Sequence, residues 1–267
     1  MHTIKSVSSS ILKLSEIIPA ENINLDVILT STLFTGREKL SENQFNNVMH
    51  KLSDTDFKLW ELGSELFYRE FGKIKKIKVP LNAQIGKSVL VSGNDLKDLL
   101  TVLQNLKDKD VNVYTHGELL IAHAFEKFGN FTDLKGHIGI LSENYIFDYA
   151  TFPGAIIFTK NTNQNLEYLI RGRLFTMDTL VPKGTIRLSD YSQVVKSAKI
   201  AKGFTKLKET KYIEIGFDRS EILNAFENLK NKVENNIIKK IIIISMGEYK
   251  EYQAKYFEIL SNNLQEN

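Results

Sequence analysis

Val111-Asn112-Val113-Tyr114-Thr115-His116-Gly117-Glu118 is the stretch that decides the fold of this chain. Val111 to Tyr114 has the β-branched and aromatic composition of a short buried strand. Gly117 closes it, and Leu119 to Phe128 predicts a helix directly behind. Upstream, Ser88-Val89-Leu90-Val91-Ser92 is a second apolar strand, closed by Gly93. Asn94 or Asp95 then caps a helix with Leu96, Leu99, Leu100, Val102 and Leu103 turned inward. Downstream, His137 to Leu141 and Ala155 to Thr159 predict strands, and residues 190–200 a helix before Gly203. Strands alternating with helices imply a parallel sheet joined by right-handed crossovers.

The flanks read differently. Residues 7–71 carry apolar faces at helical spacing, first Ile11, Leu12, Leu14, Ile17 and Ile18, then Phe45, Val48, Met49 and Leu52. Ser41 with Gln44 fits a capping box, and Asp54 or Asp56 opens a helix through Trp60, Leu62, Leu66 and Phe67. Lys73, Lys75, Lys76 and Lys78 read as a solvated linker. After Gly203, Tyr212 to Ile215 predicts a strand, residues 219–234 a helix, Ile241 to Ile244 a buried strand, and Glu251 to Leu264 a last helix. The expected fold class is α/β. A helical region spans 1–75, a Rossmann-like parallel-sheet domain 80–205, and a partial second α/β unit 206–267. So small a second sheet must pack on its neighbour or pair with another chain.

Bulk chemistry narrows the function. At 267 residues, 42% hydrophobic and 25% charged, the chain can bury a sizeable core. A net charge of +3 is too slight to argue for nucleic acid. The absence of cysteine removes disulfides, thiol nucleophiles, thiolate zinc sites and ordinary iron–sulfur ligation. Lys239 and Lys240 interrupt the longest apolar run, so no membrane insertion is expected. Met1-His2-Thr3-Ile4-Lys5 lacks the apolar core of a signal peptide, which makes the cytoplasm the expected compartment.

Several chemistries are suggested and discounted. Ile85-Gly86-Lys87-Ser88 looks like the tail of a phosphate loop, but Leu81 stands where the loop needs glycine, and the run precedes its strand. There is no Gly-x-Gly-x-x-Gly for a dinucleotide and no Gly-x-Ser-x-Gly for a hydrolase. His116, Glu118, His123 and His137 are the candidate non-thiol metal ligands, with His116 and Glu118 at the carboxyl end of a strand. The plainer alternative is that His116 bonds a loop and Glu118 sits at a helix start, favoured by the dipole.

Longer motifs point to a family. Val91-Ser92-Gly93-Asn94-Asp95-Leu96-Lys97-Asp98-Leu99 resembles V-S-G-H-D-L-K-D-L of the hybrid-cluster (prismane) and carbon monoxide dehydrogenase family. Tyr114 to His123 is similar to its Y-T-H-G-E-M-L-P-A-H. Phe152-Pro153-Gly154-Ala155-Ile156, with Thr159-Lys160-Asn161-Thr162, resembles F-P-G-A-I followed by T-T-N-C. Arg173-Leu174-Phe175-Thr176 resembles R-I-F-T, and Ile241 to Gly247 a strand ending in G-G-C-D-G.

The resemblance implies the fold and, in the family, a cluster held by one histidine, two glutamates and several cysteines. Carried over by position, the histidine is Asn94, the first glutamate Glu118, and two cysteines Thr162 and Met246. The later cysteines and second glutamate fall beyond Asn267, and the cysteine-rich N-terminal motif has no counterpart. Asn94 is a poor ligand, and neither a threonine hydroxyl nor a thioether replaces a thiolate. No iron–sulfur cluster and no other cofactor is therefore expected. The expected function is a non-catalytic structural or interaction subunit with a protein partner or a second copy. One alternative is an oxidoreductase component, of hydroxylamine reductase or carbon monoxide dehydrogenase type, whose cluster sits in another chain. Another is a small-molecule binder using a cavity lined by Asn94, His116, Glu118 and Thr162.

Overall fold

A computed structural model describes residues 66–139, 144–160 and 172–237 with short breaks, and part of a helical stretch over 41–51. The helices expected over 7–40 and 52–65, the strand Ile241 to Ile244 and the last helix lie outside the described residues. In chain order the described elements are β1 (Ile77–Pro80), β2 (Ser88–Ser92), α1 (Leu96–Leu106), β3 (Asn112–His116) and β4 (Leu134–His137). There follow α2 (Tyr145–Thr151), β5 (Ala155–Phe158), β6 (Leu174–Thr176), β7 (Ile186–Arg187), α3 (Tyr191–Ile200), β8 (Tyr212–Ile215) and α4 (Arg219–Glu234). Among them, no helix is long and apolar enough to cross a membrane.

Six of these strands form one parallel sheet in the order β4-β3-β2-β5-β6-β7. All five residues of β2 are buried, as the unbroken apolar run Val89-Leu90-Val91 requires of a strand covered on both faces. Register sorts the side chains. Leu90, Tyr114 and Ile156 are paired neighbours and share one face. Tyr149 of α2 and Phe152 pack there with Phe158 and Leu174. Phe204 adds edge-on contacts to Tyr114 and Phe152, at 5.9 and 5.6 Å between centroids. The opposite face carries Val89, Val91, Val113 and Thr115, while α3 lies against β2 and β5 with Val194 and Ala198 buried.

Local chemistry sets the element ends. Asp95 caps α1 by accepting from the Asp98 amide at 2.8 Å, a contact worth about 1 kcal/mol. The Arg173 guanidinium donates to the carbonyls of Tyr149, Ala150, Phe152 and Gly154 and so closes the end of α2. Lys87, read above as a rejected phosphate-loop lysine, donates to Ala201 O at 2.6 Å, at the end of α3.

Three expectations need correction. Gly117–Ala124 is a 3-10 segment rather than part of an α-helix running to Phe128. Leu119, Ala122 and Phe125 recur every third residue and are all buried, the period of a 3-10 turn. The strand expected over His137 to Leu141 is Leu134–His137, because Gly139 turns the chain with φ +82. The lysine-rich linker contains β1, which pairs antiparallel with β8. Lys75 pairs with Glu126 at 2.7 Å and Lys76 with Glu214 at 3.6 Å.

The chain divides into two compact units, one spanning Phe71–Asp218 and one combining Met1–Glu70 with Arg219–Asn267. The strand Tyr212–Ile215, read as the opening of a second α/β unit, belongs with β1 and the parallel sheet in the first of these. The β1–β8 ribbon reaches the β4 edge at Gly136, where a Cβ would collide with the Pro80 carbonyl oxygen. Covering an edge strand in this way blocks pairing with other chains.

Candidate functional site

The carboxyl ends of β2, β3 and β5 present Ser92-Gly93-Asn94, His116-Gly117-Glu118 and Thr159-Lys160. With β3 on one side of β2 and β5 on the other, this is the crevice where open α/β sheets hold ligands.

His116 is fully buried there, beside its register partner Ser92. Its Nδ1 lies 2.8 Å from Ser92 Oγ, Ser92 Oγ lies 2.8 Å from the Tyr149 hydroxyl, and Nε2 lies 3.4 Å from Asp148 Oδ2. Burial, with a smaller push from His137, lowers the imidazole pKa to about 3. The ring is therefore neutral at neutral pH, and its contact with Asp148 is a weak hydrogen bond rather than an ion pair. A carboxylate can only accept, which places the single ring proton on Nε2. Nδ1 then accepts from Ser92, and Ser92 Oγ accepts from the Tyr149 phenol. A serine, a histidine and an aspartate do meet, without the sequence signature of a hydrolase. Ser92 is 1% exposed and its oxygen already holds the Tyr149 proton, so no substrate reaches it as a nucleophile.

The neighbouring backbone closes over this chain of bonds. A Cβ on Gly139 would collide with the Asp148 carboxylate and come within 2.6 Å of the His116 ring. Tyr145 and Tyr149 lie against the imidazole, at 4.4 and 4.7 Å between centroids.

A second network occupies the other face of β3. Thr115 Oγ1 is 2.8 Å from His123 Nε2 and 2.9 Å from His137 Nδ1, while His137 Nε2 is 2.8 Å from Gly139 O. The carbonyl accepts, so His137 carries its proton on Nε2 and takes the Thr115 proton at Nδ1. His123 must then donate from Nε2 to Thr115. Desolvation holds the two rings neutral, with pKa values lowered to about 3 for His123 and about 4 for His137.

The remaining candidates are dispersed. Glu118 is exposed, and its charge helps raise the Tyr145 phenol pKa, second to burial. Asn94 is half-buried, with its backbone N–H donating to Thr159 Oγ1 at 3.2 Å. Thr162 and Met246 lie outside the described residues. Sequence reasoning missed Asp98, which is 3% exposed and accepts from the Lys160 amide at 2.8 Å. Burial first, and Asp95 second, push its pKa up to about 6. The motif Asp95-Leu96-Lys97-Asp98 held the signal, since an acid at the third helical position is often a first-turn partner.

Among the described residues no three His, Asp or Glu side chains gather in a way that could hold a metal ion. His116 spends both ring nitrogens on Ser92 and Asp148. An iron–sulfur cluster asks for thiolates, and the 267 residues contain none. The donor set of this chain does not fit such a cluster.

The profile of the Prismane/CO dehydrogenase family matches residues 15–267. A hydroxylamine reductase of Gloeothece citriformis is 33% identical over 216 residues, 78% of this chain and 39% of that protein. One of Methanocella arvoryzae is 32% identical over 78% of this chain and 38% of its own length. One of Acidiphilium cryptum is 28% identical over 91% of this chain and 41% of its own. The chain thus spans about two fifths of the length of these curated relatives.

Proposed function

The chain belongs to the Prismane/CO dehydrogenase family, and from that premise we propose that it is a cluster-free, non-catalytic member acting as a structural or interaction subunit. The observation that carries the proposal is the closed chain Tyr149–Ser92–His116–Asp148 at the ligand-binding end of the sheet. A neutral imidazole whose nitrogens are both engaged offers no lone pair to a metal. Asn94 adds a neutral amide and Glu118 one carboxylate, too few and too hard for an iron–sulfur cluster. An interaction role is supported by Ile146 and Phe147 of α2, which are 57% and 68% exposed. Adjacent apolar side chains of this size are what a protein partner covers.

The test is hydroxylamine-dependent oxidation of reduced methyl viologen by the full chain, after anaerobic incubation with ferrous iron and sulfide. The proposal expects no turnover above a protein-free control. Sustained turnover by the chain alone contradicts it. The similarity to hydroxylamine reductases favours a second reading, an oxidoreductase component that depends on a cluster in another chain. Iron and turnover that appear only in a native complex with a second polypeptide would select that reading over the first.

A further inference from the structure

Tyr149 is fully buried, yet its phenolic proton has a route to the surface. The phenol donates to Ser92 Oγ at 2.8 Å, Ser92 donates to His116 Nδ1 at 2.8 Å, and His116 Nε2–H faces Asp148 Oδ2 at 3.4 Å. Each middle member gives one proton and takes another in the same direction. The last, Asp148, keeps 18% of its side chain exposed. Burial raises the Asp148 pKa, which makes its carboxylate a better proton acceptor than an ordinary one. Among the described tyrosines, Tyr149 is the one whose phenol donates into a chain that ends on a carboxylate.

An electron has a route as well. Tyr145 is half-buried, and its ring lies 6.2 Å from that of Tyr149. The His116 ring sits against both, at 4.4 and 4.7 Å between centroids. After burial, the charges of Glu118 and Asp148 are what raise the Tyr145 phenol pKa. The same negative charges beside the ring ease the loss of an electron from it. At Tyr149 a charged radical would be costly to hold in the core, so the proton must leave with the electron.

We propose that Tyr149 is a one-electron redox site, oxidised by way of Tyr145 by an outer-sphere metal-complex oxidant while its proton leaves along Ser92 and His116 to Asp148. The electron goes to the oxidant, which is reduced. The phenolic proton moves to Ser92 Oγ, the Ser92 proton to His116 Nδ1, and the His116 Nε2 proton to Asp148 Oδ2. What remains is a neutral tyrosyl radical, a serine hydroxyl, a neutral imidazole of the other tautomer and a protonated Asp148, which releases its proton to water. No fully buried group is charged before or after, and the 3.4 Å link, the longest of the three, is the slow one. The site uses no iron and stands apart from the interaction role proposed above.

The test is flash oxidation of the full chain by photogenerated tris(bipyridine)ruthenium(III), read by electron paramagnetic resonance and transient absorption, with N-acetyltyrosinamide as the control. Exposed tyrosines such as Tyr212 react too, so the lifetime carries the assignment. The parent is expected to form a neutral tyrosyl radical that outlasts the control's by about tenfold or more, and Tyr149→Phe should remove that long-lived fraction. Asp148→Asn keeps an oxygen for His116 but takes no proton, so it should cut the long-lived yield by about fivefold or more. Both variants should keep the parent's amide spectrum, which separates loss of the route from loss of the fold. The proposal is overturned if the parent's radical decays with the control's, if Tyr149→Phe leaves the longest lifetime unchanged, or if Asp148→Asn retains the parent's yield.

Discussion

Ser92 joins two buried groups, since its hydroxyl donates to His116 and accepts from Tyr149. Ser92→Ala orphans both partners and should destabilise the protein by about 2–4 kcal/mol in urea unfolding. Tyr149→Phe removes a donor without stranding Ser92's own proton and should cost about 1 kcal/mol. In the Tyr149→Phe background the alanine change should then cost less, which a double-mutant cycle reads directly. Additive losses would mean the hydroxyls are not coupled. Asp98 makes a different prediction. Its raised pKa means the native state holds the proton more tightly than the unfolded chain, so its contribution falls as pH rises from about 3.8 to about 6. Asp98→Asn keeps an acceptor for the Lys160 amide, sheds the buried charge and gives up only a 3.5 Å pairing with the half-exposed Lys160 Nζ, so at pH 7.5 it should melt no lower than the parent. Asp98→Ala strands that amide and should melt several degrees lower. His116 and Glu118 were legible in the sequence as members of one motif. Their opposite fates, one sealed in the core and one exposed, were not, because Ser92 and Asp148, which close around His116, lie 24 and 32 residues from it.

Two buried histidines end β3 and β4 and a third, His123, lies in the 3-10 segment between them, which gives this region a characteristic response to acid. His116, His123 and His137 have pKa values of about 3, 3 and 4 against an ordinary 6.5. The unfolded chain takes up protons below about pH 6.5 that the native sheet refuses, so stability is lost as pH falls from 6.5 toward 4. Asp98 and Asp148, whose pKa values burial raises, act in the opposite sense, but three histidines oppose two carboxylates. The melting temperature should fall over this window, and His137→Gln should flatten the fall. A melting temperature unchanged from pH 7 to pH 4.5 would contradict the neutral tautomers assigned here. Gly154 tests the sheet itself. A Cβ there would collide with the Ser88 carbonyl oxygen, so Gly154→Ala should cost about 3 kcal/mol or more and loosen the pairing of β2 with β5. Amide exchange at Val89–Val91 positions 89–91 reads that loosening. Strands β2, β3 and β5 and helices α1 and α3 were legible because their apolar runs and caps are local signals. The short β1, β6 and β7 were not, since lysine and proline interrupt Ile77-Lys78-Val79-Pro80 and a two- or three-residue strand is defined by its partner rather than by its own pattern. The 3-10 segment was hidden because an apolar run allows either helical period.

At the scale of the whole molecule, the chain combines a family fold with a donor set that the family's cluster does not suit. The motifs made the fold legible from sequence alone, since Gly154 marks a close backbone approach and Arg173 closes α2. None of these roles needs a metal, so each can persist in a chain without thiols. The match spans about two fifths of the length of the hydroxylamine reductases it resembles. The central claim is that this chain by itself holds no iron–sulfur cluster. The direct measurement is iron per chain after anaerobic reconstitution with ferrous iron and sulfide and removal of unbound metal, with the visible absorption spectrum recorded alongside. The account predicts iron far below one atom per chain and no sulfide-to-iron absorption. Stoichiometric iron with that absorption, lost on Glu118→Gln, would contradict it.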